Sequence, residues 1–209
     1  MTTILLVRHA ENDWVRSGKL AGWTPGVHLN EEGKRQANLL GERLAAAHID
    51  VVYSSPLERA VETAEAILTH YPGKEICLDE AIGEAHYGEW TGERLRKLSR
   101  TRLWEVVQRQ PSQARFPGGE SIQEMQNRAV AAIDRMAARH PHQTVVAVSH
   151  GDVIKSIVAH YAGMHLDMFQ RLVIAPASIS IIHLGGHGPA VVRVNDTHHY
   201  DRPKSNGSE

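Results

Sequence analysis

The chain has little that would tie it to a crosslink, a membrane or a polyanion. Of its 209 residues one is cysteine, Cys77, so no internal disulfide can form and nothing suggests a zinc–cysteine site. It has no charge excess: 23 Lys+Arg stand against 24 Asp+Glu, a balance that argues against a broadly basic nucleic-acid-binding surface. Long hydrophobic runs are missing too. The first apolar run, Ile4 to Val7, ends at Arg8 with no basic stretch before it, so the opening reads as neither signal peptide nor membrane span. These absences make a reducing cytoplasm the expected compartment. No glycine-rich Walker A run occurs, which argues against an NTPase, and no arginine follows Cys77 at the spacing of a cysteine-phosphatase loop. What is present is globular, with 42% hydrophobic and 22% charged residues. Area scaling buries roughly 70% of the unfolded surface for a chain of this size. With no internal repeat or low-complexity linker, one domain is expected over 1–196, followed by a polar tail over 197–209.

Three short apolar runs, Ile4–Val7, Val51–Tyr53 and Val145–Val148, suit strands buried on both faces by helices. Each is followed by a helical pattern. Asn30 reads as an N-cap before Ala37, Leu40 and Leu44. Ser55 to Glu58 reads as a capping box with Pro56 at the first helical position, and Ser121 to Glu124 as another. A further helix is expected after Gly151. Ile179–Leu184 and Ala190–Val194 read as a hairpin joined by Gly185–Pro189. The expected fold is α/β, a three-layer α/β/α sandwich with a mostly parallel central sheet and an antiparallel edge strand.

Ligands in such sheets bind beyond the carboxyl ends of the strands. Behind the first run stand Arg8, His9, Ala10 and Glu11; behind the second, Ser54, Ser55 and then Arg59; behind the third, Ser149, His150 and Gly151. Two arginines and two histidines thus converge on one sheet edge. Arginine offers a planar fork of donors that matches phosphate oxygens, and a neutral imidazole can attack phosphorus. One such pair alone would read as a surface ion-pairing group; three strand ends delivering them together point to an anion site.

These residues resemble the histidine phosphatase superfamily, branch 1, the phosphoglycerate mutase-like group. Arg8-His9-Ala10-Glu11 is similar to its RHGE signature, and Ser54 to Ala64 to its SSxLxRAxxTA motif. Glu84 to Gly92 resembles its ExxxGxWxG segment, and Ser149-His150-Gly151 its SHG motif. Phe116 to Ser121 matches a further segment of the family, and the matches come in family order. The resemblance implies a phosphoglycerate mutase-like fold and a catalytic set of His9, Glu84 and His150. His9 would be the nucleophile that becomes phosphohistidine, and Glu84 the general acid and then base. Arg8, Arg59, His9 and His150 would hold phosphate, with Asn12 as a secondary candidate. Neither a metal nor an organic cofactor is implied. Bottom-up, Glu84 must keep a proton near neutral pH through burial or a neighbouring carboxylate, and a backbone carbonyl on one His9 nitrogen would fix its tautomer.

The chain departs from the family pattern in having Ala10 for glycine, Asn12 for Thr or Ser, and Val15 where asparagine is common. Ala85 replaces the arginine of the mutases, and the long mutase insertion is missing, so a metal-independent phosphatase of small phosphomonoesters is the expected function. The alternatives are a cofactor-dependent phosphoglycerate-type mutase and, from another class, a noncatalytic phospho-ligand binding module. The expected partner is a small phosphorylated substrate or inorganic phosphate, with neither nucleic acid nor membrane; a homodimer through sheet edges or helices is compatible with the sequence. Specificity is expected from residues 12–28 and 86–117. The basic cluster Arg94, Arg96, Lys97, Arg100 and Arg102 is expected to be a solvated helix face. Cys77 is expected in the core, His28 near the pocket, and His140, His142, His198 and His199 in solvent. His183 and His187, across a hairpin, are not expected to bind metal.

Overall fold

The computed structural model describes residues 1–200. The strands are β1 (Thr2–Arg8), β2 (Val51–Ser54), β3 (Ile76–Leu78), β4 (Thr144–Ser149), β5 (Ile179–Gly185) and β6 (Gly188–Asp196). They form one sheet in the order β3-β2-β4-β1-β5-β6. β1 to β4 run parallel, β5 is antiparallel to β1, and β6 is antiparallel to β5. The helices are α1 (Asp13–Ser17), α2 (Glu31–Leu44), α3 (Glu58–Leu68), α4 (Leu95–Leu98), α5 (Arg102–Arg109), α6 (Ile122–Arg139) and α7 (Gly151–Tyr161).

The apolar runs are continuous because successive side chains have opposite faces to bury. Ile4, Leu6, Val145 and Ala147 pack against Met125 and Ile133 of α6 and Ile154 and Ile157 of α7. Leu5, Val7, Val146 and Val148 pack on the other side against Leu40 and Leu44 of α2 and Ala64 and Ile67 of α3. Full burial of each large aliphatic side chain contributes about 1.5–3 kcal/mol. Because β4 lies between β1 and β2, with Arg8 beside Ser149 and Ser54 beside Val148, the three strands end level with one another. The expected three-layer α/β/α sandwich is therefore the fold.

Local signals fare differently. Asn30 Oδ1 accepts from Gly33 N at 2.8 Å, and the Ser121–Glu124 capping box is complete. The box expected at Ser55 does not form. α3 starts at Glu58 with Leu57 as its N-cap, because the Ser55 hydroxyl is engaged with His150 and the Glu58 carboxylate accepts from Gly26 N. Cys77 is exposed, not in the core, since β3 is an edge strand with one neighbour. His140 is not free in solvent: its Nε2 lies 3.0 Å from the Tyr53 hydroxyl and its Nδ1 2.9 Å from Gln143 Oε1. His199 Nδ1 sits 3.2 Å from the Arg43 guanidinium. Of the expected tail, Tyr200 donates to Pro176 O at 2.7 Å; residues 201–209 lie outside those described.

One backbone approach links the fold to the loop after β1. A Cβ on Gly33, in the first turn of α2, would meet Glu11 O at 1.9 Å. Gly33→Ala should therefore lower stability by more than about 2 kcal/mol in urea unfolding, although alanine is the better helix former.

Candidate active site

The level ends of β1, β2 and β4 set the floor of a cavity of about 450 Å³. Arg8 lines it from the end of β1, His9 and Asn12 from the loop that follows, Arg59 from α3, and Glu84 and Tyr87 from the segment before α4. The structure thus brings Arg8, His9, Arg59, Glu84 and His150 together, with Asn12 beside them.

His9 is almost wholly buried. Its Nδ1 lies 2.8 Å from Ala10 O, and a carbonyl only accepts, so Nδ1 carries the hydrogen and Nε2 keeps the lone pair. Burial, then the charges of Arg59 and Arg8, hold His9 well below the usual imidazole range. The loop is held by Thr63, whose hydroxyl accepts from Ala10 N at 3.0 Å and donates to Arg59 O at 2.7 Å. Ala10 itself is fully buried against the second core, so the methyl in place of glycine is accommodated.

Each guanidinium is aimed by one backbone carbonyl. Arg8 Nη1 donates to Ile174 O at 2.6 Å, and Arg59 Nη2 to Gly22 O at 2.9 Å. Among the described residues, Arg8 Nε and Arg59 Nη1 are buried without a hydrogen-bond partner, and so is Asn12 Nδ2, whose Oδ1 caps α1. Buried donors without acceptors are costly, and three of them around one cavity are chemically suited to an oxyanion. Gly151 permits this arrangement: a Cβ there would come within 3.3 Å of the Arg8 guanidinium.

His150, the N-cap of α7, is fully buried with its ring centroid 5.1 Å from that of His9. Its Nε2 lies 2.8 Å from Ser55 Oγ, while Nδ1 faces Arg59 Nη2 at 3.4 Å and Glu84 Oε2 at 3.6 Å. Burial and the same arginines push it, too, well below the imidazole range.

Burial pushes the Glu84 carboxyl up, opposed by Arg59 and reinforced by Asp152. Its main chain is clamped: Glu84 O accepts from Trp23 Nε1 at 2.6 Å and from Arg128 Nη2 at 2.9 Å. Arg128 also reaches Ala81 O and Gly83 O, and Glu120 grips it at 2.9 and 2.6 Å. His9, Glu84 and His150 each offer a ligand atom within 4.8 Å of the others. By distance they could share a metal ion, but the two guanidiniums on the same floor oppose a cation there.

Sequence reasoning missed Asp152, Lys155, Gln170 and the segment from Leu172 to Ile174, all of which line the cavity. The only signal was position: Asp152 follows Gly151 directly at a strand end. The expected lining from 12–28 and 86–117 is present in Leu20, Trp90 and Phe116. None of the basic cluster from Arg94 to Arg102 lines the cavity, and its side chains are exposed. His28 lies away from it, paired with Glu62 at 2.5 Å on the surface.

Comparison with known proteins agrees with this geometry. The family model of the histidine phosphatase superfamily (branch 1) matches residues 4–197. Phosphoserine phosphatase 1 of Hydrogenobacter thermophilus is 33% identical over 208 residues, covering 95% of this chain and 94% of that protein. A 2,3-bisphosphoglycerate-dependent phosphoglycerate mutase of Brucella melitensis is 31% identical over 175 residues, covering 78% of this chain and 82% of the mutase. A mutant phosphoserine phosphatase of Entamoeba histolytica, solved with phosphoserine, superposes with a TM-score of 0.88 at 27% identity, covering 96% of this chain and all (100%) of that one.

The buried histidines have a consequence for stability. Folding holds His9 and His150 neutral, whereas the unfolded chain protonates them below about pH 6.5. Their contribution is present above that pH and is lost as pH falls below it. Urea unfolding at pH 7 and pH 5.5 should show lower stability at pH 5.5, with the difference reduced in His9→Asn.

Proposed function

The chain belongs to branch 1 of the histidine phosphatase superfamily, and on that premise we propose that its cavity hydrolyses small phosphomonoesters through a phosphohistidine on His9, without a metal. It is a phosphatase of that family. The observation that carries the assignment of roles is the pairing of a neutral, lone-pair-bearing His9 Nε2 with unpartnered donors of Arg8, Arg59 and Asn12 around it.

In the first step the phosphoryl group lies against Arg8 and Arg59, and His9 Nε2 forms a bond to phosphorus as the ester P–O bond breaks. Glu84, protonated, gives its hydrogen to the departing oxygen, which would otherwise leave as an alkoxide. In the second step water attacks phosphorus, Glu84 takes a proton from it, and the P–N bond breaks. The two guanidiniums stabilise the equatorial oxygens in both steps. His150 Nδ1 lies between Arg59 and Glu84 on the same floor and would complete the phosphate cradle. The domain over 1–196 would carry the whole of this site. Relatives named for phosphoserine and phosphoglycerate support a small phosphorylated substrate. The absence of the mutase arginine at Ala85 favours hydrolysis over transfer back to a bound product.

Purified protein should release phosphate from p-nitrophenyl phosphate in excess chelator, and His9→Ala should lower kcat by about 10³-fold or more. A burst of radiolabel from a ³²P-ester, retained on denatured wild-type protein and missing from His9→Ala, would identify the nucleophile. Turnover that survives His9→Ala, or that disappears in chelator and returns with a metal, would overturn the reading. Interconversion of 3- and 2-phosphoglycerate primed by 2,3-bisphosphoglycerate, faster than hydrolysis, would replace it with the mutase.

A further inference from the structure

Asp152 is a carboxylate on the cavity wall for which the proposed reaction has no task. It stands in the first turn of α7, and Lys155 Nζ approaches its Oδ1 at 3.2 Å while also reaching Gln170 Oε1 at 3.1 Å. Its other oxygen, Oδ2, lies 3.3 Å from the Tyr87 hydroxyl, and that hydroxyl lies 3.4 Å from Glu84 Oε1. One phenol thus stands between two carboxyl groups. It has one hydrogen to give and a lone pair to offer.

The distribution of charge decides which carboxyl receives the hydrogen. Asp152 has the Lys155 ammonium beside it and is partly open to water. Glu84 is deeply set, and its Oε1 already accepts from Ala85 N at 3.0 Å. The ionised carboxylate is the stronger acceptor, so the hydroxyl hydrogen belongs with Asp152 and the lone pair turns toward Glu84. We propose that Asp152, acting through Tyr87, is a positioning residue that keeps the catalytic proton on Glu84 before phosphoryl transfer. It does so in two ways: its charge opposes a second negative charge nearby, and it withholds from Glu84 the Tyr87 hydroxyl hydrogen that would stabilise its anion.

The other groups facing Glu84 work the opposite way or are neutral. Arg59 from α3 and Arg8 from the end of β1 favour the carboxylate, while Arg128 of α6 holds only the Glu84 main-chain carbonyl. His9 and His150 carry no charge in the free site. Against two guanidiniums, burial of Glu84 has Asp152 as its charged ally, in line with the upward push on the Glu84 carboxyl. The proton is conserved over the cycle: the Glu84 O–H breaks as the leaving-group O–H forms, and the attacking water restores it.

This inference rests on the role proposed for Glu84, and its test has one readout that needs no turnover. The C=O stretch of the protonated Glu84 carboxyl, assigned by its loss in Glu84→Gln, is titrated by infrared difference spectroscopy in the free enzyme. In Asp152→Asn it should titrate at lower pH by about one unit, and the alkaline limb of kcat/KM should move down with it. Asp152→Glu should restore both. Tyr87→Phe, which keeps the Asp152 charge, should move the titration in the same direction by less, and it carries the test if Asp152→Asn does not fold. An unchanged titration in Asp152→Asn would overturn the proposal. So would an unchanged or raised titration in Tyr87→Phe, since a rise would mean that the hydroxyl donates to Glu84. A shifted infrared titration in a protein without phosphatase turnover would leave the proposal standing and remove the catalytic reading instead.

Discussion

Two guanidiniums share one cavity floor, Arg59 buried and Arg8 half-buried, and with burial they govern what the neighbouring groups can be. Arg8 and Arg59 are each aimed by a single carbonyl, and each keeps a buried nitrogen without an acceptor. Burial, reinforced by these two positive charges, holds both histidines neutral, which leaves His9 with a usable lone pair. The same charges draw Glu84 toward ionisation, and burial with Asp152 must outweigh them for an acid to exist at all. The states that suit the proposed nucleophile and acid therefore both follow from burial beside these two charges.

The fold serves that constraint by ending three strands at the same level. The insertion of β4 between β1 and β2 brings Arg8, Ser55 and His150 within side-chain reach although they are far apart in sequence. The helices then act as clamps. Gly33 presses α2 against the loop behind His9, Thr63 ties that loop to α3, and Arg128 of α6 gathers the carbonyls of Ala81, Gly83 and Glu84. Rigid elements thus place groups that the loops alone could not hold.

Much of this is legible in the chain itself. Arg8, His9, Arg59 and His150 follow buried apolar runs, and a strand end is a place that sequence periodicity locates well. Glu84 is legible by its family resemblance, not by periodicity, because its segment is irregular. What the sequence conceals is partnership. Ser55 has the spacing of a helix cap, yet its hydroxyl serves His150, and no local pattern distinguishes those uses. Asp152 reads as an ordinary acidic residue in a first helical turn until Tyr87 is seen beside it. Ile174 and Gly22 contribute only backbone carbonyls, which any residue could supply. Cys77 was misplaced because edge and central strands share the same short apolar signature.

The unpartnered nitrogens of the floor carry a further consequence. An oxyanion that settles there relieves donors that are unsatisfied in the free chain, so it binds the folded state and finds no comparable cradle in the unfolded one. Mass action then makes any such anion a folding ligand, with stabilisation growing as the logarithm of its concentration. The same affinity slows departure of the anion that hydrolysis leaves behind. Thermal robustness and product release are thereby set against each other at one pair of arginines.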